Sequence, residues 1–344
     1  MAVTQQQIAD ICGVTKQAVN LVLNGRGQAF AEKTRQRIIE TADRLGYRAH
    51  VAASATARGL HGGVALIISA EEAASQWSHR LLHGIAEGAE KHRTMLVLCE
   101  IQGQPDNGLT DAIGNIACDG VLMNYVYEPT PAMIKAVKAS GKPTVWLNNK
   151  LPKDAVFPDD FAGAQLLTRR LQDIGHRRIA YVNPAGIPLE ALQNKGHYSM
   201  RERWDGYRQA MLDAGLTPQL IASGQSKKDL RLLAAAATEV LRDPQTRPTA
   251  VVCYNYGEAE MIMLAAYRLG LDIPADLSVA TFHSSAELKL LGLPVTMALL
   301  PSEELGIKAM DMLFAKLADK NHPQPSLRLP LAMLEQETTG PPSK

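Results

Sequence analysis

The chain has 344 residues, which is long enough for two or three domains rather than one core. Hydrophobic residues make up 46% and charged residues 21%. That is an ordinary soluble balance, and it excludes wholesale disorder, collagen and disulfide scaffolds. The net charge is only +1, but it is unevenly spread. Residues 1–62 carry eight basic against four acidic side chains (+4), and the remaining residues carry 28 basic against 31 acidic (−3). A small basic head on a slightly acidic body suits a head that meets phosphate. No apolar run approaches the roughly 18 residues of a membrane span. The start has neither the basic flank nor the apolar run of a signal peptide, so a cytoplasmic location is expected. Cys12, Cys99, Cys118 and Cys253 lie far apart with no CxxC, so reduced, packed thiols are expected rather than disulfides or zinc ligands.

Thr4 to Gln7 fits a capping box that opens a short helix. Ile8 with Ile11 (or Cys12) gives its apolar face, and Gly13 ends it. Val14 can plug the turn from inside. Thr15 is a good N-cap for a second helix running to about Asn24, with Val19, Val22 and Leu23 inward. Lys16, Gln17 and Asn20 then share its outer face. Asn24-Gly25 and Gly27 break the pattern. A third helix runs from about Glu32 to Leu45, with Ile38, Ile39, Ala42 and Leu45 inward and Gly46 as C-cap. Two short helices joined by a tight glycine turn, plus a packing helix, describe a helix-turn-helix unit. Long polar side chains on its second helix can reach base edges. The alternative is a small three-helix packing module with a solvated polar face.

From residue 63 the pattern changes to apolar runs alternating with amphipathic stretches. Strands are expected at 63–69, 95–101, 120–124 and 143–148, with helices at 77–92, 106–117 and 131–140 between them. After Pro158 the pattern restarts. Helices at 162–174, 201–214, 229–241 and 258–269 then alternate with strands at 178–183, 220–222, 249–254 and 278–282. This alternation implies parallel α/β sheets, and two such blocks imply two lobes of similar build.

The stretches IADICGVTKQAVNLVLNGRG and KTRQRIIETADRLGYR resemble the DNA-binding head of the LacI/GalR (lactose-repressor) family of bacterial transcription regulators. The resemblance continues through the body, in GHRRIAYVN (175–183), SMRERWDGYRQAM (199–211), PTAVVCYNYGEAEM (248–261) and LSVATFHSS (277–285). It implies a helix-turn-helix domain at 1–47, a hinge or linker at 48–62, and an α/β two-lobed, periplasmic-binding-protein-like core with parallel sheets at 63–340. Lobe 1 would take about 63–158 and 287–322, and lobe 2 about 159–286 and 325–340. The last helix, 302–317, should return to lobe 1, and a tail strand near 329–334 to lobe 2. The resemblance further implies a homodimer on near-palindromic double-stranded DNA, with a small-molecule effector between the lobes, no cofactor, no metal and no enzymatic activity. Thr4, Thr15, Lys16, Gln17, Asn20, Arg26, Thr34, His50, Ser54 and Thr56 are the implied DNA contacts. Trp77, Tyr125, Asn148, Arg203, Asn255, Tyr256 and His283 are the implied effector contacts.

Several positions depart from the family pattern. The usual Val-Ser-Arg of the recognition helix is Val19-Asn20-Leu21, and the usual Ser cap of the third helix is Ala31. Thr56 stands where a Leu wedges between base pairs, and Thr is a poor wedge. Either Leu60 acts from another register, or DNA is kinked less, or 52–57 is a passive Ala-rich linker. In the body, Asn148, Tyr256 and His283 replace acids that accept hydroxyl hydrogen bonds. With Arg203, and Lys195 or His197 nearby, this suits a sugar acid or other carboxylate. A neutral sugar bound differently, or a decayed site, also fits the pattern.

Enzyme signatures are missing: there is no GxGxxG after a strand, no GxxxxGK[ST], no HExxH and no GxSxG. His79, His83 and His92 lack a spacing that joins all three to one metal. Asp159-Asp160 falls at the family's lobe crossover, a structural role. An exported sensor without DNA function would carry an export signal. The tail has no apolar heptads, so no coiled-coil tetramer is expected. The expectation is a ligand-controlled regulator, a repressor, with a sugar-like or sugar-acid effector. The other reading is a cytoplasmic carbohydrate or carboxylate sensor without specific DNA reading.

Overall fold

Local capping sets the first helices of the chain. In the computed structural model, which describes residues 3–23, 27–47, 61–69, 79–101, 109–125, 127–183, 196–222, 230–319 and 322–343, Thr4 opens α1 (Gln5–Cys12) with a reciprocal capping box. Thr4 Oγ1 accepts from the Gln7 amide at 3.3 Å, and Gln7 Oε1 accepts from the Thr4 amide at 2.9 Å. Gly13 ends the helix at φ +59°, a left-handed value that glycine adopts without strain. Thr15 Oγ1 accepts from the Ala18 amide at 3.1 Å and opens α2 (Lys16–Leu23). Helix α3 (Glu32–Arg44) starts at Ala31 without a side-chain cap and ends at Leu45, one residue before the expected Gly46. The core of this unit is Ile8, Ala9, Cys12, Val19, Val22, Ile38 and Ala42, with Val14 packed against it. Ile11 and Ile39, expected inward, are 54% and 41% exposed. Ile39 lies about 100° round its helix from Ile38, so one residue of rotation carries it out of the core. Cys12 takes the inward place of Ile11.

The chain divides into two compact units, residues 1–62 and 63–344. The larger opens with β1 (Gly63–Ser69), α4 (His79–Lys91), β2 (Met95–Ile101), α5 (Leu109–Asn115), β3 (Gly120–Asn124), α6 (Pro131–Ala139), β4 (Thr144–Leu147) and β5 (Ala155–Pro158). Its second block holds α7 (Asp160–Asp173), β6 (Ile179–Val182), α8 (Tyr198–Asp213), β7 (Gln219–Ile221), α9 (Leu230–Arg242), β8 (Ala250–Cys253), α10 (Tyr256–Arg268) and β9 (Ser278–His283). It closes with a two-residue hairpin, β10 (Lys289–Leu290) and β11 (Leu293–Pro294), then β12 (Thr296–Leu299), α11 (Ser302–Ala318), β13 (Leu327–Leu329) and β14 (Ala332–Leu334).

Two six-stranded sheets result, ordered β13-β5-β4-β3-β1-β2 and β14-β12-β9-β8-β6-β7. Every pairing in the first is parallel; in the second only β14 runs antiparallel. Each lobe therefore repeats one doubly wound order, with its first strand inside its second. Full burial of strands such as Val64–Ile67 and Ala250–Cys253 explains their unbroken apolar runs.

The return path differs from expectation. Segment 289–299 stays with the second lobe, because Leu290, Val295 and Met297 fill its core and β12 extends its sheet. The chain goes back to lobe 1 only at α11, beyond the expected 287. The tail forms two short strands rather than one: β13 completes the first sheet and β14 the second. Among the described residues the chain thus crosses between lobes at 158–160, 299–302 and 329–332. Helix α11 lies on α4 so closely that a Cβ on Gly84 would clash with the Glu303 carbonyl, and one on Gly306 would sit 2.7 Å from the Leu81 carbonyl. Gly84→Ala should therefore cost ~1–3 kcal/mol of stability through overpacking. Gly114→Ala on α5, where a Cβ meets open space, should instead stabilise by ~0.5–1 kcal/mol. Urea unfolding of the two variants checks both signs.

Candidate DNA-binding face and effector cleft

In the head, Lys16, Gln17 and Asn20 are exposed and lie on the side of α2 opposite buried Ala18, Val19 and Val22. An eight-residue helix is ~12 Å long, short enough to lie with its start in a major groove. Thr15 and Thr4 are spent on caps, with their residues exposed, and Thr34 is half-buried at the start of α3. Arg26, His50, Ser54 and Thr56 lie outside the described residues, as do most of the 48–62 hinge and Leu60.

In a doubly wound sheet, ligands collect beyond the carboxyl ends of the strands. Tyr125 follows β3, Asn148 follows β4, Asn255 and Tyr256 follow β8, and His283 ends β9. All five therefore stand on the ligand-facing end of their sheets. Trp77 and Lys195 lie outside the described residues. Tyr125 is buried in the lobe 1 core and meets Tyr127 edge-on at 5.9 Å. Asn255 Oδ1 accepts from the Gly257 amide at 2.8 Å, which makes it the N-cap of α10. The Tyr256 ring meets the His283 ring edge-on at 5.6 Å. Burial lowers the His283 pKa, so this imidazole favours its neutral form.

Arg203 is the centre of the cluster. It projects from α8 and is almost fully buried. Its Nε donates to Asp160 Oδ1 at 2.7 Å, and its Nη1 donates to the Tyr254 carbonyl at 2.5 Å. The guanidinium also lies 4.1 Å from the Phe282 ring centroid and 4.8 Å from that of Tyr254, an arrangement that favours a cation. Burial works against its charge, and the Asp160 carboxylate overcomes that and holds the pKa above its usual value. Asp159, by contrast, caps α7 by accepting from the Ala162 amide at 3.1 Å. The acidic pair at the crossover is thus divided: Asp159 is a cap and Asp160 is the partner of Arg203. Sequence reading gave both a structural role and missed the pairing, although two acids beside the lobe crossing were a signal.

Asp160 Oδ2, Asn149 Oδ1 and Tyr181 Oη are buried and have no hydrogen-bond partner among the described residues. Tyr181 ends near Arg203, Tyr254 and Asp160, and burial raises its pKa well above normal, so its phenol stays neutral. Outside the cleft, His83, Glu87 and Glu303 form a group of metal-type donors between α4 and α11. They are exposed or half-exposed, and Glu303 is already taken by Arg80 at 3.6 Å and His83 at 3.5 Å. Among the described residues no helix is long and apolar enough to cross a membrane.

Two largely parallel sheets, joined by three crossings among the described residues and with polar groups at their strand ends, define a two-lobed core of the periplasmic-binding-protein type. Residues 168–339 match the family model described as a periplasmic binding protein-like domain. The chain belongs to the LacI family of transcription regulators. It is 26% identical over 333 residues to the HTH-type transcriptional repressor PurR of Vibrio vulnificus (strain CMCP6), covering 93% of each chain. It is 28% identical over 324 residues to the HTH-type transcriptional regulator GntR of Escherichia coli (strain K12), covering 91% of each. Its fold resembles that of the Lac repressor dimer bound to operator and the anti-inducer ONPF, with a TM-score of 0.68 and 20% identity, over 99% of this chain and 100% of that one.

Removing one charge of the Arg203–Asp160 pair leaves the other buried and unmet. Asp160→Asn should therefore lose ~3–5 kcal/mol of stability. Asp160→Asn combined with Arg203→Met should recover part of that loss. Equal losses in single and double variants, measured by denaturant unfolding, would count against a coupled pair.

Proposed function

We propose that this protein is a sequence-specific DNA-binding repressor whose operator affinity is set by a small sugar-like or sugar-acid ligand between its lobes. It acts in the cytoplasm as a homodimer on a near-palindromic operator and catalyses no reaction. The Arg203–Asp160 pair with its surrounding strand-end residues carries this reading. A buried donor fork, a carboxylate oxygen with unused bonding capacity and flanking aromatic rings suit a polar molecule with apolar faces, which describes a sugar. The pair is electrically balanced, which favours hydroxyl groups over a free carboxylate. The sugar-acid reading is favoured instead by the neutral Asn148, Tyr256 and His283, which place no carboxylate at those three positions. The operator and small molecule of the Lac repressor complex lend support to a DNA-bound, ligand-controlled dimer.

The logic of such a protein is a coupling free energy. A ligand that prefers one lobe arrangement shifts the population of that arrangement. The head supplies base reading from Lys16, Gln17 and Asn20. The lobes supply control.

Selection of random duplex DNA by the full-length protein tests the proposal. An enriched near-palindrome is expected, and it supplies the probe for screening sugars and sugar acids. Gln17→Ala should relax preference at one base position at a cost of ~1–3 kcal/mol. An unchanged preference in that variant would reject the groove assignment of α2. No binding even at low salt would favour the sensor that lacks specific DNA reading.

A further inference from the structure

The first turn of α8 does more than carry Arg203. It is one of the places where lobe 2 is fastened to lobe 1, another being the Arg80–Glu287 ion pair at 3.0 Å. His197, the N-cap of α8, places Nε2 2.6 Å from the carbonyl oxygen of Asn148, at the end of β4 in the other lobe. Tyr198 packs against the lobe 1 core, its ring edge-on to Phe157 at 5.7 Å. Glu202, one turn further on, pairs with Lys150 of lobe 1 and lies 3.9 Å from Arg328 beside β5. Asn148 itself holds φ +56°, a left-handed value that asparagine tolerates better than most residues. Its carbonyl is thereby turned to His197.

The bonds of His197 define one protonation state. Nε2 faces a carbonyl and must donate. Nδ1 receives the Ser199 amide at 3.4 Å and lies 2.7 Å from Ser199 Oγ, which in turn lies 3.0 Å from the Tyr254 hydroxyl. Nδ1 must therefore accept from the amide, and the ring is neutral with its proton on Nε2. We propose that this turn is a proton-sensitive latch between the lobes, in which His197 holds the closed arrangement only while its imidazole is neutral. A second proton on Nδ1 would face the Ser199 N–H and the positive end of α8. Ser199 Oγ could take that proton, but the charge would still be buried.

The groups around the ring pull in both directions. Asp160 on α7 favours the charged imidazole and Arg203 on α8 opposes it. The Tyr198 ring lies tilted against that of His197, with centroids 4.5 Å apart. From lobe 1 the Asn148 carbonyl also favours the charged ring, and the Lys150–Glu202 pair, which is balanced, spans the two lobes. Burial is the largest influence and lowers the pKa of His197 in this closed arrangement. An opened cleft would return the ring toward its ordinary value of about 6.5. Between those two values the open form binds more protons than the closed one, so acid favours opening and neutral pH favours closure.

His176 and His283 are also buried, with pKa values held below the ordinary one. His176 bonds to Thr249, Ser278 and the Gly340 carbonyl within lobe 2, and His283 to Ser285 of its own loop. Among the described residues neither bonds across to lobe 1, so a variant at 197 separates the latch from both.

The test is a distance between lobes, measured on the full chain without DNA or ligand. Spin labels go on Lys135→Cys of α6 and Arg208→Cys of α8, both exposed positions, in a Cys99→Ser background. The other three native cysteines are buried. With native His197, the distance should lengthen as pH falls from about 8 to 5.5, with a midpoint below the free-histidine value of about 6.5. His197→Gln, which can still donate to Asn148 but does not titrate, should stay short throughout. His197→Ala should stay long or broad at every pH. A pH-invariant distance with native His197, or the same lengthening in His197→Gln, would overturn the latch.

This measurement is independent of whether the head reads DNA. The effect on DNA rests on the repressor reading. There, selected-operator affinity should change about fivefold or more between pH 7.5 and 6 with native His197 and stay flat in His197→Gln.

Discussion

A buried ion pair fixes the geometry on which the lobes depend. Asp160 begins the first helix of lobe 2, directly after the chain leaves β5 of the lobe 1 sheet. Arg203 reaches it from α8, so the two helices that flank the crossing are joined by one short, charge-assisted bond. Such a pair adds little net stability, because desolvation takes back most of the attraction. Its value is positional. The guanidinium is held on one side by a carboxylate, on another by a backbone carbonyl, and across its faces by Phe282 and Tyr254. Few orientations satisfy all four. The strand ends that carry Tyr254 and Phe282 are thereby fixed relative to the crossing.

From this anchor the other contacts acquire their sense. The turn before Arg203 reaches into lobe 1, while the turn that carries it faces the core of lobe 2. One helix therefore spans polar groups that a ligand could touch and apolar contacts that hold the lobes together. A ligand that moved Arg203 by a fraction of an ångström would press on Tyr198 and Glu202 through a rigid helix. Close-packed interiors transmit such shifts instead of absorbing them. No separate wire between sites is needed where a single helix serves both.

Much of the architecture was legible in the residues. The capping box at Thr4, the caps at Thr15 and Gly13, and the alternation of apolar runs with amphipathic stretches are local signals, and the structure follows them. Strands β5, β12 and β13 were not read as separate strands, because they fall outside the regular alternation with helices that marked the others. Their places come from pairing with strands of the assembled sheets, β5 between β4 and β13 and β12 between β9 and β14, which is a tertiary effect. The exposed Ile11 and Ile39 show a related limit, since neighbouring apolar residues stand about 100° apart round a helix and only tertiary packing decides which of them turns inward. Arg203 was singled out by its motif. Asp160 as its partner was not, because the two stand 43 positions apart and only folding brings them together.

The three crossings have a consequence for how the protein is made. Neither lobe is a continuous stretch of chain. Helix α11, which lies on α4 and across β3, β4 and β5, leaves the ribosome roughly 200 residues after α4, a wait of about 10–40 s at ordinary rates of synthesis. Throughout that interval the nascent first lobe shows the bare apolar face that α11 will cover, and the edge of β5 that β13 will occupy stands open. The last strands of both sheets then emerge within a few residues of each other. Completion of the two lobes is therefore nearly simultaneous and late, and the first lobe bears the greater exposure to aggregation or to chaperone capture while it waits.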